Sequence, residues 1–272
     1  MKCSILKSIL LSLLLAAAVF AQTVQTGQNQ MGSHALPGKM FAGETLKFDG
    51  KLNKILNGIS VAELTFTAIA APDPNQLLIK SEAVSKGTLL KLFRYSFFQQ
   101  YESTIDLPNF RILRSTKHDV QKERIRDSEA IFDYKQKRVT YVETDPKDRN
   151  RPPRRIASEI TEHVSDMISG IYSLRLLPLA VGKRFEITVS DSGLVYKVPV
   201  VVTGREIQNS VTGKVWCFRV EPEIFGPNRL IERSGKMVIW MTDDARHTPI
   251  RAQINTEYGK IDVKLKSVVN PS

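Results

Sequence analysis

Ala62-Glu63-Leu64-Thr65-Phe66-Thr67-Ala68 decides the fold class, because apolar and polar side chains alternate through it one for one. In an extended strand successive side chains point to opposite faces, so Ala62, Leu64, Phe66 and Ala68 share one face and Glu63, Thr65 and Thr67 the other. One dry face and one wet face is the mark of an antiparallel sheet. The same period recurs on either side. Leu46 and Phe48 alternate with Thr45, Lys47 and Asp49, and Ile261, Val263 and Leu265 with Lys260, Asp262, Lys264 and Lys266. Turn formers separate such runs: Pro72-Asp73-Pro74-Asn75, Asp191-Ser192-Gly193, Thr212-Gly213 and Tyr258-Gly259. About a dozen strand-like runs spaced in this way predict a mainly β protein.

One stretch departs from the period of two. Ser158 is a fair N-cap, followed by Glu159 and Glu162 where a helix dipole favours acid. Ile160, Val164, Ile168, Ile171 and Tyr172 then recur at helical spacing as far as Leu176, and Pro178 stops the run. The spacing predicts one helix over 158–176, laid by its apolar stripe on a sheet. The expected architecture is a single large, curved antiparallel sheet, an open half-barrel to barrel-like, with this main α-helix packed on it.

Upstream, Lys2 and Lys7 precede and flank an apolar run, Ile9 to Ala18, that only Ser12 interrupts, and Val19-Phe20-Ala21 ends it ahead of Gln22. Small residues before a cut between Ala21 and Gln22 fit a secretory signal peptide, and the run is short for a membrane span. Cys3 precedes the run, so it cannot serve as a lipidated cysteine. The expectation is an exported, periplasmic protein that is neither a lipoprotein nor membrane-spanning once processed. Residues 22–40 are polar and without period, which reads as a disordered linker, and 41–270 as one β-rich domain. The formal charge of +11 falls to +9 once Lys2 and Lys7 leave with the leader. Such a balance favours anionic lipid, an envelope polysaccharide or an acidic envelope protein as partner, and export excludes nucleic acid. Cys217 is then the sole thiol, set in the strand-like Val215-Trp216-Cys217-Phe218, where burial is expected to keep it inert.

Four stretches together carry a family resemblance: Phe41-Ala42-Gly43-Glu44-Thr45-Leu46-Lys47-Phe48; Asp166 to Arg175, which includes Tyr172; the runs from Gly182 and Gly193; and Trp240-Met241-Thr242-Asp243-Asp244-Ala245-Arg246 with Pro249-Ile250. The ordered set resembles an exported bacterial family of unknown function, numbered 3108, from about Phe41 to Val268. The resemblance implies a mostly antiparallel β fold in the cell envelope and brings no activity with it. The outline is also similar to half-barrels that carry lipoproteins between membranes, though fold does not fix function.

Phe93, Tyr95, Phe97 and Tyr101 share parity, with Gln99 among them, and form either a ligand-lining stripe or the core beneath the helix. Phe98, on the opposite parity, would mark a contact surface if exposed. Lys147, Arg149, Arg151, Arg154 and Arg155, held extended by Pro152-Pro153, are either an anion clamp or a solvated loop. Asp243 and Asp244 could do acid–base work beside His247, or form a hairpin turn and bridge to Arg175 at the helix end. Glu159 and His163 stand four apart, but with no HExxH motif a metal is not expected. No cofactor is expected either, since neither a G-x-S-x-G elbow nor a glycine-rich phosphate loop occurs. The functional expectation is a non-enzymatic binder of an amphipathic or anionic envelope component, lipid or polysaccharide. The alternative is a structural or assembly factor contacting another envelope protein, and a hydrolase using Asp243 or Asp244 ranks third.

Overall fold

A computed structural model describes residues 36–53, 59–88, 91, 94–256 and 259–270. The leader with its Ala21–Gln22 junction, most of the linker, and Phe93 lie outside the described residues. Fifteen strands form a single open sheet that is not closed into a barrel. The first wing is β1 (Thr45–Asn53), β2 (Ile59–Ala70), β3 (Gln76–Ser85), β4 (Phe97–Asp106), β5 (Arg111–Gln121), β6 (Arg124–Asp133), β7 (Arg138–Thr144) and β8 (Arg154–Glu159). The second is β9 (Val164–Asp166), β10 (Arg184–Asp191), β11 (Leu194–Ser210), β12 (Gly213–Pro222), β13 (Gly235–Thr242), β14 (Pro249–Thr256) and β15 (Gly259–Val269).

The spatial order is β8-β7-β6-β5-β4-β3-β2-β1-β15-β14-β13-β12-β11-β10-β9. The chain therefore starts at the middle of the sheet, meanders to one edge, crosses to the other edge and meanders back to the middle. Neighbours are antiparallel except β9 with β10, which run parallel. The period of two in β2 is realised as burial: Ala62, Leu64, Phe66 and Ala68 are buried and Glu63, Thr65 and Thr67 only partly so.

The sheet curls until each edge strand reaches the opposite wing through side chains. Ser103 Oγ of β4 donates to Asp166 Oδ2 of β9 at 2.5 Å, and Ser158 Oγ of β8 donates to the Gly193 carbonyl at 2.7 Å. Gly193 and Ser192 join β10 to β11 with φ of 81° and 51°, the two left-handed positions of a tight hairpin turn. A Cβ on Gly193 would stand 2.5 Å from Tyr141 Cβ, so glycine lets this hairpin tip seat on β7 and β8.

The predicted helix over 158–176 is much shorter. Residues 154–159 are strand β8, because hydrogen bonding along β7 overrides the helical spacing. Ser158 caps nothing there. Val164–Asp166 pairs with β10, and only Ser169–Arg175 is helical, named α1. Its start is set by Asp166, whose Oδ1 accepts from the Ile168 and Ser169 amides at 3.1 and 2.7 Å. Ser169 Oγ accepts from the Asp166 amide at 2.9 Å, which completes the reciprocal exchange of a capping box. Ile168, Tyr172 and Leu174 are buried, whereas Ile171 is half-buried. Ahead of β1, Pro37–Phe41 is a 3-10 turn with Gly38 buried against Leu107 and Phe110.

Candidate binding site

Arg175 at the end of α1 does not reach Asp243 or Asp244. Its guanidinium donates to Glu44 Oε1 and Oε2 at 2.5 and 2.7 Å, with both side chains fully buried. Arginine's planar fork matches a carboxylate in this two-point way. Asp243 pairs instead with Arg205, Nε to Oδ2 2.5 Å. Asp244 Oδ1 accepts from the amides of Arg246 and His247 at 2.9 and 3.0 Å and from Thr242 Oγ1 at 2.9 Å. That leaves it a turn-former. The loop still holds the helix, by other atoms: Arg175 Nε donates to the Arg246 carbonyl, and His247 Nδ1 donates to the Arg175 carbonyl. Tyr172 packs edge-on to Phe41 with ring centroids 5.2 Å apart. Trp240 is buried, donates its indole N–H to Glu206 and carries Arg251 over its ring at 4.9 Å. Cys217 is buried, and burial, followed by the fields of Asp244, Glu206 and Asp243, pushes its thiol up to about 12.

The aromatic stripe divides. Tyr95 lies just before β4, and Tyr95 and Phe97 pack tilted against each other, 6.3 Å between centroids, within the core. Phe98 is half-buried and meets the His118 ring edge-on. The apolar cavity beside α1, lined by Leu46, Phe66, Tyr172, Met237 and Ile254 among others, holds about 60 Å³. Small-molecule sites run to about 300–1,000 Å³, so this space is a packing gap and no acyl-chain groove. The Glu159–His163 spacing does not exist on a helix, since Glu159 ends β8 and His163 lies in the connection to β9.

Gln99 and Tyr101 belong to something else. They line a chamber of about 270 Å³ inside the first wing, walled by β4 to β8 and roofed by Asp191 and Ser192 of the β10–β11 hairpin. A recess of about 30 Å³, sharing Tyr101, Lys117 and Tyr141, runs inward to Asp166. The floor is polar. Asp119, buried, accepts from Gln99 Nε2 and Gln121 Nε2, each at 2.9 Å, and stands 3.7 Å from Arg124 Nη1. Arg126 is engaged by Asp145 and by Glu143 at 3.9 Å, and Tyr141 donates its hydroxyl to Glu143 at 3.0 Å.

Three charged groups in this chamber form no salt bridge, and one acceptor has no donor. Lys117 Nζ sits 5.0 Å from the centre of the Tyr101 ring, and neither it nor Arg154 has an ion-pair partner among the described residues. Asp191 likewise accepts no hydrogen bond or ion pair through its side chain among the described residues. The buried Oε1 of Gln99 has no donor. Burial pulls the Lys117 ammonium down in pKa, but Tyr101, Asp119 and Asp191 outweigh it and leave it raised, so it is charged at neutral pH. Burial, eased by Lys117 and reinforced by Asp191, pushes the Tyr101 phenol up to about 12. Of the basic tract, Arg154 alone lines the chamber; Arg155 stands exposed on β8, and Arg151 is exposed 3.7 Å from Asp145. Sequence reasoning missed Lys117, Asp119, Arg124, Arg126 and Asp191. Their signal was present: on β5, Ser115, Lys117, Asp119 and Gln121 put polar residues on the parity that faces the core elsewhere in the wing.

A family described as a protein of unknown function, DUF3108, matches residues 48–266. The chain belongs to the DUF3108 family. Among solved structures, a β-barrel-like protein of the domain of unknown function DUF1849 from Brucella abortus is 9% identical, covers 85% of this chain and 99% of its own, and superposes with a TM-score of 0.56. That likeness concerns the fold alone. A protein of YmcC-like fold from Bacteroides fragilis, 8% identical, covers 84% of this chain and 96% of its own at a TM-score of 0.33. No curated protein matches the DUF3108 chain. The matched families carry no assigned activity, and none of them points to an enzyme. Among the described residues no helix is long and apolar enough to cross a membrane.

Proposed function

We propose that this DUF3108 protein is an exported, non-catalytic binding protein of the cell envelope that takes an anionic envelope component into the chamber of its first wing. The observation that carries the reading is the polar lining of that chamber, where Lys117, Arg154 and Asp191 form no salt bridge and the buried Gln99 Oε1 accepts no hydrogen bond. Gln99 Oε1 is a buried acceptor with no donor, and such an atom calls for an explanation. A bound ligand is a direct one. The apolar half of an amphipathic ligand finds no matching space, since Tyr95 and Phe97 are packed core. The chain's positive charge favours approach of an anion.

Native mass spectrometry of the protein purified from its own envelope tests this. A co-purifying anionic molecule lost on Lys117→Met supports the reading. A bare chain whose Lys117→Met variant is equally bare, with no anion bound in titration, overturns it. A second reading, an assembly factor contacting another envelope protein, rests on the cross-strand pair Ile207 and Trp216, which are 53% and 47% exposed on the β11–β12 hairpin. In that case a partner protein lost on Trp216→Ala would appear in the same preparation.

A further inference from the structure

We infer that the chamber is built for an acidic sugar, a monosaccharide-sized unit carrying one carboxylate and several hydroxyl groups. The inference rests on the binding reading above and names its ligand class. The first reason is charge. Among the lining side chains that form no salt bridge, Lys117 and Arg154 contribute two positive charges and Asp191 one negative, a surplus of one. A monoanion neutralises that surplus. A doubly charged phosphate would overshoot it, among walls that already hold Asp119, Glu143 and Asp191.

The second reason is the sense of the missing hydrogen bonds. Gln99 Oε1 and the Asp191 carboxylate accept and cannot donate. A carboxylate without hydroxyls brings acceptors only, and hydrogen phosphate brings a single donor for the two. A ligand that meets Lys117 and Arg154 with a carboxylate and meets Gln99 and Asp191 with hydroxyls satisfies all four. Sugar acids combine these groups on one small ring. The third reason is size. At about 270 Å³ with a 30 Å³ recess, the chamber falls at or below the low end of drug-sized sites, so it admits one compact unit. The unit can be a free sugar acid or one residue of an acidic polysaccharide.

Calorimetric titration of the purified protein at low salt distinguishes these. The probes are D-glucuronate, short uronic-acid oligosaccharides, D-glucose and inorganic phosphate. Saturable one-to-one binding of glucuronate, with glucose and phosphate weaker by about tenfold or more, is expected, since each lost hydrogen bond to a charged group is worth about a factor of ten or more. Lys117→Met and Arg154→Gln should each lower uronate affinity by about tenfold or more. Lys80→Gln, which removes an equal charge from the exposed Lys80–Glu102 pair, should leave it unchanged. Arg154 is exposed at the sheet edge, so its variant folds even if Lys117→Met does not. Binding of the monomer identifies a free sugar acid as sufficient; binding of the oligosaccharides alone identifies the polymer. Phosphate binding as tight as uronate, or equal losses with Lys80→Gln, overturns the sugar assignment. If native mass spectrometry shows another anion in the chamber while uronates fail, the assignment falls and the binding reading stands. If neither binds anything, both fall.

Discussion

Glu44 and Arg175 stand 131 positions apart and meet as a two-point ion pair in a fully buried site. Arg246 adds a third contact, its Nη2 donating to Glu44 Oε2 at 3.3 Å, and the Phe41 ring lies 4.2 Å beneath the Arg175 guanidinium. The entrance to β1, the end of α1 and the β13–β14 turn are thereby held at one point. Removing one member of a buried pair leaves an uncompensated charge and costs about 3–5 kcal/mol. Glu44→Gln should lose stability on that scale in urea melts. Glu44→Leu with Arg175→Met should recover much of the loss, because replacing both partners by apolar groups removes the stranded charge.

Ile168 is fully buried in the residue before α1, and Ile171 is only half-buried within it. Truncating a buried isoleucine to alanine costs about 2–5 kcal/mol. Ile168→Ala should show that loss in denaturant melts and Ile171→Ala a clearly smaller one. Equal losses would place the packed face of α1 elsewhere.

Burial raises the Asp166 carboxyl above its ordinary 3.8, although Ser103, Ser169 and the Ile168 amide all favour the charged form. The folded chain thus holds this proton more tightly than the unfolded one. Its contribution is fully present below 3.8 and is lost as pH rises through the raised pKa. Asp166→Asn has no proton to lose. Its stability relative to the native chain should rise as pH climbs above the unfolded value of 3.8, measured by parallel urea melts. A constant difference would show an unshifted carboxyl.

With Cys3 replaced by serine, Cys217 is the sole thiol. Its thiolate is disfavoured by burial, with the thiol pushed up to about 12. The folded protein should therefore resist a thiolate-selective disulfide reagent at pH 8 and react completely once unfolded in guanidinium. Rapid labelling of the folded chain would mean that the cover over β12 opens readily.

Gly193→Ala should disturb the chamber roof. The added Cβ would fall 2.5 Å from Tyr141 Cβ and 3.0 Å from Ile156 Cβ, at a φ of 81°. Both a lower melting temperature and, on the proposed function, weaker anion binding are expected. A variant with full retention would separate the hairpin from the site.

The sheet was legible because its strands have one dry face, as in Ala62 to Ala68, and a period of two survives any uncertainty in turn position. The helix was misread because Ile160, Val164 and Ile168 fall at helical spacing by coincidence, while the competing signal was the short-range Asp166-x-x-Ser169 box. Arg175's place in an ion pair was foreseen, but not Glu44 as its partner: nothing local relates residues 131 apart, and only the closing of β1 against the end of α1 unites them. Of the residues singled out for binding, Tyr101 and Arg154 reach the chamber and Tyr95 and Phe97 do not. Parity assigns a residue to a face but cannot tell a filled part of that face from a hollow one. The polar run Ser115, Lys117, Asp119, Gln121 could have made that distinction, since a strand that turns charge inward must have something charged or wet to meet.

The pairing of β1 with β15 at the middle of the sheet has a consequence for how the molecule comes into being. As the chain emerges from its N-terminal side, β1 to β8 can assemble by hairpins between sequence neighbours. One side of β1 then stays open until the last strand of the domain has arrived. For that interval the nascent protein presents a bare edge at what will become its centre, and a bare edge invites pairing with other chains. Long-range closure of this kind is slow. The half-made sheet needs an attendant, or dilution, more than the finished one does.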